Sequence, residues 1–287
     1  MINGKTIYTP KGAALEYGRV GCNFYTGCPH DCVYCYLKRG APSKQLGGKE
    51  VKLKKCLKDE DTAFEIFKKE AEKHLDTLKE KGVFFSFTCD PLINETQDLT
   101  ALAVSWLNKH DVPTWVLTKN ATFTESLTFD SIIINGIQRK DIAHFGFTLT
   151  GRDKMEPGAS KNRDRIETMG FMKYHGFKTF ASIEPVIDWK SSMAVVEASL
   201  KCCDHYKIGL RSGVKKDYYK QPYSIVSIHE LVNMIVDAGR TVYLKQSVRR
   251  MLEEYYPQNQ LDELLSKTVD IDGRPINNPK QMSYEIH

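Results

Sequence analysis

Short apolar runs and amphipathic stretches alternate at least six times along this chain, and that alternation constrains its fold more than any other feature. Val83–Cys89 (VFFSFTC), Pro113–Thr118 (PTWVLT), Phe145–Leu149 (FGFTL), Phe177–Ile183, Tyr206–Leu210 and Thr241–Leu244 read as strands, Arg19–Tyr25 as a first one, and Ile132–Ile134 as a short extra one. Between them the apolar residues recur at helical spacing. Phe64, Phe67, Ala71, Leu75 and Leu78 predict a helix with Asp61 as its N-cap and Gly82 as its stop. Leu99, Leu102, Ala103 and Trp106 line another, and Ile166, Met169 and Met172 a third over 162–175. Further helices are expected over 191–200, 227–238 and 248–255. Apolar strands separated by helices imply a parallel sheet covered on both faces. No G-x-G-x-x-G follows the first strand, which leaves a dinucleotide-binding fold unsupported. The expectation is an α/β chain folded as a closed or partial (β/α) barrel in a single domain. Its active-site residues belong at the C-terminal ends of the strands.

The loop after the first strand is GCPHDCVYCYL, Gly27 to Leu37, with Cys28, Cys32 and Cys35 in C-x3-C-x2-C spacing. Three thiolates on one tight loop can ligate three irons of a [4Fe–4S] cube and leave the fourth iron open to a substrate or cosubstrate. A structural zinc site is the alternative, with Cys22 as fourth ligand, because Cys56, Cys89 and the pair Cys202–Cys203 have the wrong spacing for a second knuckle. Cys89-Asp90, Lys119, Thr148, Glu184, Arg211 and Lys245-Gln246 fall at later strand ends, where chemistry is expected.

Composition narrows the setting. The 287 residues carry a net charge of +5, which permits a nucleic-acid partner without demanding one. Eight cysteines with no secretory signal and no membrane-length apolar run predict a reducing, cytoplasmic compartment. Residues 1–17 read as an N-terminal arm, 18–256 as the barrel and 257–287 as a C-terminal extension with a polar, peripheral tail from Ile271. The Lys- and Gly-rich stretch 38–60 reads as a surface insertion. The 212–224 loop, with Lys215, Lys216, Tyr218, Tyr219, Lys220 and Tyr223, reads as a basic, aromatic surface suited to bases and phosphates.

The stretch NFYTGCPHDCVYCYL resembles the spore photoproduct lyase and DNA-repair-photolyase-like branch of the radical S-adenosylmethionine (SAM) superfamily, which carries a similar Y-x-G-C-x-x-x-C-x-Y-C-Y stretch. VFFSFTCDP, VLTKN and the segment containing SIEPVID extend the likeness from about Asn23 to about Lys245. The resemblance implies a partial (β/α)6-type TIM barrel and an enzyme that cleaves SAM to a 5′-deoxyadenosyl radical and abstracts hydrogen from a substrate. By that resemblance Cys28, Cys32 and Cys35 ligate the cluster, Tyr34 packs near the adenine of SAM, and Tyr36 lies near SAM and joins Tyr34 in a hydrogen-atom relay. Asp90 and Lys119 fall where relatives contact the amino and carboxylate ends of SAM, and Thr148 where the lyase has a serine. The lyase's hydrogen-donating cysteine matches Phe87 here; Cys89 lies two residues on, and strand alternation would aim both to one side.

The implied substrate is nucleic acid, reached through Glu184 and Arg211 at later strand ends, with a flavodoxin- or ferredoxin-type electron donor. A peptide or small metabolite is the alternative substrate, and a non-catalytic zinc or iron–sulfur module the alternative class. The spacing makes a direct prediction. Cys28→Ala, Cys32→Ala and Cys35→Ala should each abolish cluster assembly and SAM cleavage, while Cys22→Ala and Cys56→Ala leave both intact. Loss of iron in Cys22→Ala, measured after anaerobic reconstitution, would show a closed four-ligand site.

Overall fold

The computed structural model describes every residue except 40–42, 216, 220, 221, 272 and 277–287. Its chain groups into two compact units, residues 1–147 with 153–178, and residues 148–152 with 179–287. Both are α/β, and their strands are mostly parallel.

In the first unit the sheet runs in the order β1 (Ile7–Tyr8), β2 (Gly21–Cys22), β5 (Val83–Phe85), β6 (Thr114–Thr118), β7 (Ala143–Thr148). A separate antiparallel pair is made by β3 (Tyr25–Thr26) and β4 (Lys52–Leu53). The expected first strand is thus split: Gly21–Cys22 joins the parallel sheet, and Tyr25–Thr26 turns away to pair with the 38–60 insertion. The helices are α1 (Glu60–Lys73), α2 (Leu75–Lys81), α3 (Gln97–Lys109) and α4 (Asn162–Tyr174). Asp59 caps α1, accepting from the Thr62 N–H at 2.7 Å, so the cap lies two residues before the expected Asp61. One helix expected over 61–81 is broken at His74. Ile132–Ile134 is helical rather than a strand, because it continues the turn begun at Leu127 and buries Ile133 and Ile134.

Aromatic rings fill the layers beside this sheet. Phe24, Phe67 and Trp106 pack edge to face at 5.7 and 5.9 Å, and Phe123, Phe129, Phe145 and Phe177 form a second chain at 4.8, 5.9 and 5.2 Å. The N-terminal arm belongs to the fold. β1 pairs antiparallel with β2, and the Glu70 carboxylate on α1 accepts the Lys5, Thr6 and Ile7 N–H groups at 2.6, 2.9 and 3.1 Å and the Thr6 hydroxyl at 2.6 Å.

In the second unit β8 (Lys178–Val186), β9 (His205–Leu210) and β10 (Thr241–Leu244) are parallel and adjacent. They are followed by α5 (Trp189–Ser199), α6 (Tyr223–Asp237) and α7 (Gln246–Tyr255), with α8 (Gln258–Ser266) in the C-terminal extension. That extension is tied to the sheet by the Val269 N–H on the Val242 carbonyl at 2.9 Å; the tail from 277 lies outside the described residues. Among the described residues no helix is long and apolar enough to cross a membrane.

Glu70 generates a prediction. Four donors converge on one carboxylate, and charge-assisted hydrogen bonds contribute about 1.5–3 kcal/mol each in favourable cases, less at a partly exposed site. Glu70→Ala should lower stability by roughly 2–3 kcal/mol in urea melts. It should also raise hydrogen exchange at residues 5–7 and leave α3 protected. Unchanged exchange in the arm would show that β1 pairing alone holds it.

Candidate active site

The cysteine loop begins where β3 ends, and tight turns gather it. Gly27 has φ +82°, and a Cβ there would stand 2.0 Å from the Glu50 carbonyl oxygen, so the position admits only glycine. The Cys28 N–H donates to the Gly48 carbonyl at 2.9 Å, and the Cys35 N–H to the Cys32 carbonyl at 3.2 Å. Asp31 sits at φ 52°, its carboxylate paired with Lys38 and, at 2.6 Å, with Lys49. Cys32 is buried; Cys28 and Cys35 are half-buried. Burial, with the nearby Asp90 charge, pushes the Cys28 thiol up to about 12, and burial also raises Cys32. Such thiols stay protonated until a bound metal displaces the proton.

Asp90 is the anchor of this loop. It follows β5 and is buried, and its carboxylate meets four donors. His30 Nε2 lies 2.7 Å from Oδ2, and the Lys119 N–H donates to the same oxygen at 2.7 Å. The Thr118 hydroxyl and the Leu92 N–H donate to Oδ1 at 2.7 and 3.0 Å. Burial would raise this carboxyl, but His30 and the N–H donors outweigh it and hold Asp90 at about 2. The other nitrogen of His30 faces the Gly158 carbonyl at 3.0 Å, and the Gly158 N–H donates to the His30 carbonyl at 3.0 Å. A Cβ at Gly158 would lie 2.3 Å from the Pro29 carbonyl oxygen, so this close approach depends on glycine.

Tyr34 is held from the same side. Its hydroxyl donates to Glu156, and Glu156 pairs with Arg165 of α4 at 2.9 Å, both side chains 0% exposed. Burial, with Glu156 beside it, lifts the Tyr34 phenol well above its ordinary range. The Lys119 ammonium stands 5.8 Å from the centre of the Tyr34 ring. His30, Glu156 and Arg165 were not singled out from sequence. Arg165 left a readable sign: it shares the buried face of α4 with Met169 and Met172 at i, i+4 and i+7, where Ile166 is only half-buried.

Tyr36 is exposed, and its hydroxyl donates to the Phe87 carbonyl. The expected strand 83–89 stops at Phe85, so the alternation argument that aimed Phe87 and Cys89 to one side does not hold. The Phe87 ring packs instead against Phe84 at 4.7 Å and Tyr17 at 6.5 Å. Cys89 is 7% exposed in the loop before Asp90, its thiol raised by burial and by Cys28.

Thr148, the last residue of β7, is buried. Glu184 pairs with the buried Lys245 at 2.5 Å. Gly209 leaves room for Glu184: a Cβ there would lie 2.8 Å from its carboxyl carbon. The Arg211 N–H donates to the Tyr219 hydroxyl at 2.7 Å, which donates to the Val186 carbonyl at 2.6 Å, and the Tyr218 hydroxyl donates to the Ile187 carbonyl at 2.9 Å. Tyr219 thus braces the backbone, and Tyr218 and Tyr223 expose ring surface. Lys216 and Lys220 lie outside the described residues.

No family model matches the chain, and no curated protein matches its sequence significantly. Solved structures share its fold. A cysteine-to-serine mutant of spore photoproduct lyase aligns with a TM-score of 0.60 at 12% identity, covering 85% of this chain and 80% of that one. A cysteine-to-alanine mutant of the same lyase with dinucleoside spore photoproduct aligns at 0.57 and 13%, covering 79% and 76%. Streptococcus suis SuiB bound to the precursor peptide SuiA aligns at 0.50 and 13%, covering 76% of this chain and 46% of that one. The chain therefore has the fold of the lyase structures, the partial barrel that the sequence resemblance implies.

The low Asp90 value sets a pH dependence. A carboxyl held below its unfolded range stabilises the fold above that range and loses the contribution as pH falls through its folded value. The shift to about 2 contributes roughly 2 kcal/mol at neutral pH. In denaturant titrations the stability gap between wild type and Asp90→Asn should shrink by about half between pH 7 and pH 3. A gap that stays constant over that range would show Asp90 to be uncharged.

Proposed function

We propose that this chain is a radical SAM enzyme in which Cys28, Cys32 and Cys35 hold a [4Fe–4S] cluster and SAM takes the open iron. One observation carries the reading: three thiols lie on one loop whose interleaved polar side chains are tied to other parts of the protein, in a chain with the fold of the lyase structures. When bound, the cluster and SAM supply a 5′-deoxyadenosyl radical for hydrogen abstraction.

The chain's own residues divide the remaining work. Lys119 is half-buried with its ammonium beside Tyr34, a placement that suits the carboxylate end of SAM. Asp90 already accepts four protein donors, so its part is to hold His30 and Lys119 in place. Tyr34 supplies a fixed ring for the adenine, with Tyr36 as the exposed second tyrosine of the pair. Thr148 remains a SAM contact by resemblance alone. Cys89 is a candidate hydrogen donor, and Glu184 and Arg211 are candidate substrate contacts.

Nucleic acid is the favoured substrate, supported by the basic balance of the chain and by likeness to a fold solved with a dinucleoside photoproduct. A peptide is the second reading, on the weaker likeness to SuiB. The zinc-module reading has less to rest on. Zn–S bonds of about 2.3 Å would draw four thiolates tightly together, whereas the described residues hold no group of three or more His, Cys, Asp or Glu that could bind a single metal ion. Cys22, its proposed fourth ligand, is buried in β2.

Anaerobic reconstitution should give ~4 iron per chain and, with dithionite and SAM, 5′-deoxyadenosine. Lys119→Ala should keep the iron and lose SAM affinity by roughly 2 kcal/mol in anaerobic calorimetry. Turnover of ultraviolet-irradiated oligonucleotide, but not of a peptide pool, would settle the substrate class. Wild-type protein that binds zinc but no iron would reject the enzyme reading.

A further inference from the structure

Each gap between the three cysteines carries one side chain tied to a buried carboxylate. His30 occupies the first gap and meets Asp90 at 2.7 Å; Tyr34 occupies the second and donates to Glu156. The backbone of each gap is held by one short segment: His30 by Gly158, and Val33, whose N–H donates at 2.9 Å, by the Met155 carbonyl. Two tethers in each gap thus reach residues 155–158 or Asp90, all far from the loop in sequence.

The tethers are cross-braced. Lys119 gives its N–H to Asp90 and lays its ammonium over the Tyr34 ring, and its carbonyl accepts the Ser160 N–H at 3.1 Å. Arg165 then closes the circuit. Its Nε donates to the Ser160 carbonyl at 2.8 Å, and its Nη2 meets Glu156 Oε2 at 2.9 Å, leaving Oε1 for Tyr34. Glu156 therefore meets a partner at each oxygen, an ion pair at Oε2 and the Tyr34 hydroxyl at Oε1.

We propose that Glu156 and Arg165 are positioning residues that hold the third thiol, through Tyr34, at a set place relative to the first two, so that the triad is assembled before any metal arrives. Stability alone is a poor reason for such a pair, because a wholly buried ion pair is often matched or bettered by apolar residues of similar volume. This pair does what an apolar replacement cannot: it gives a loop tyrosine a directional acceptor between two cysteines. The inference concerns the metal-free protein; it draws on the proposed function only in taking the three thiols as a ligand set.

The test is the alkylation rate of each cysteine in reduced, metal-free protein, read by mass spectrometry with iodoacetamide as the probe. Tyr34→Phe removes the tether and keeps the ion pair, so it carries the decision. Glu156→Ala strands a buried Arg165 and is judged only if its circular dichroism and melting are native. Tyr34→Phe should speed alkylation of Cys35 about tenfold, the scale of one hydrogen bond to a charged group, while Cys28 and Cys22 stay near wild-type rates. Glu156→Gln keeps one acceptor oxygen for two donors, Tyr34 and Arg165, so its Cys35 rate should fall between those of wild type and Glu156→Ala, and it too is judged only if its circular dichroism and melting are native. An unchanged Cys35 rate in Tyr34→Phe, or an equal rise at all cysteines, overturns the proposal. Iron content after reconstitution of the wild type is measured separately. Its absence would remove the cluster reading and leave the alkylation result to decide the positioning role.

Discussion

A carboxylate buried at a strand end must be answered by donors, and the donors Asp90 finds determine where three segments of the first unit lie. Its four partners come from the cysteine loop, from its own turn and from the end of β6. Had Asp90 been a surface residue, none of these segments would be obliged to meet. Because it is buried and ionised, each donor left out would cost about 1–3 kcal/mol. The first gap of the cysteine loop is thus held in part by the need to satisfy one charge.

The second unit meets the same demand with the signs reversed. Buried cations lie along one row and the next: Lys207 is in register with Ser182 and Tyr243, and its ammonium lies 5.6 Å from the centre of the Tyr243 ring. Arg249 stands 5.1 Å from the same ring, donates to its hydroxyl at 2.8 Å and gives its Nε to the Leu244 carbonyl. Lys245 pairs with Glu184. Aromatic faces and carbonyls thus stand in for water around these cations.

The parts of the fold that were legible in the sequence are those where one physical signal dominates. Thr241–Leu244 and Thr114–Thr118 are apolar runs bounded by turns, and they form strands within one residue of where the pattern puts them. The cysteine loop is legible because its spacing has few uses. What escaped is decided by contacts between distant residues. VFFSFTC has the composition of a seven-residue strand but pairs only through Phe85, since beyond it the Phe87 N–H is taken by Asn23 and the Thr88 hydroxyl by the Tyr25 carbonyl. Ile132–Ile134 is β-branched and yet helical, because burial of two isoleucines outweighs a weak local preference. Glu156 sits in a charged loop that gives no hint of burial, while Arg165 could have been found by asking why a cation lies on an apolar stripe.

The Glu70 anchor carries a consequence for synthesis. A ribosome adds residues towards the C-terminus, so residues 5–7 are made more than sixty positions before their carboxylate partner. Until α1 has left the exit tunnel, those N–H groups have only water and one another. A segment made early is thus secured late, and it joins the sheet beside β2 once the helix behind it exists. The arm is, in order of assembly, a closing latch.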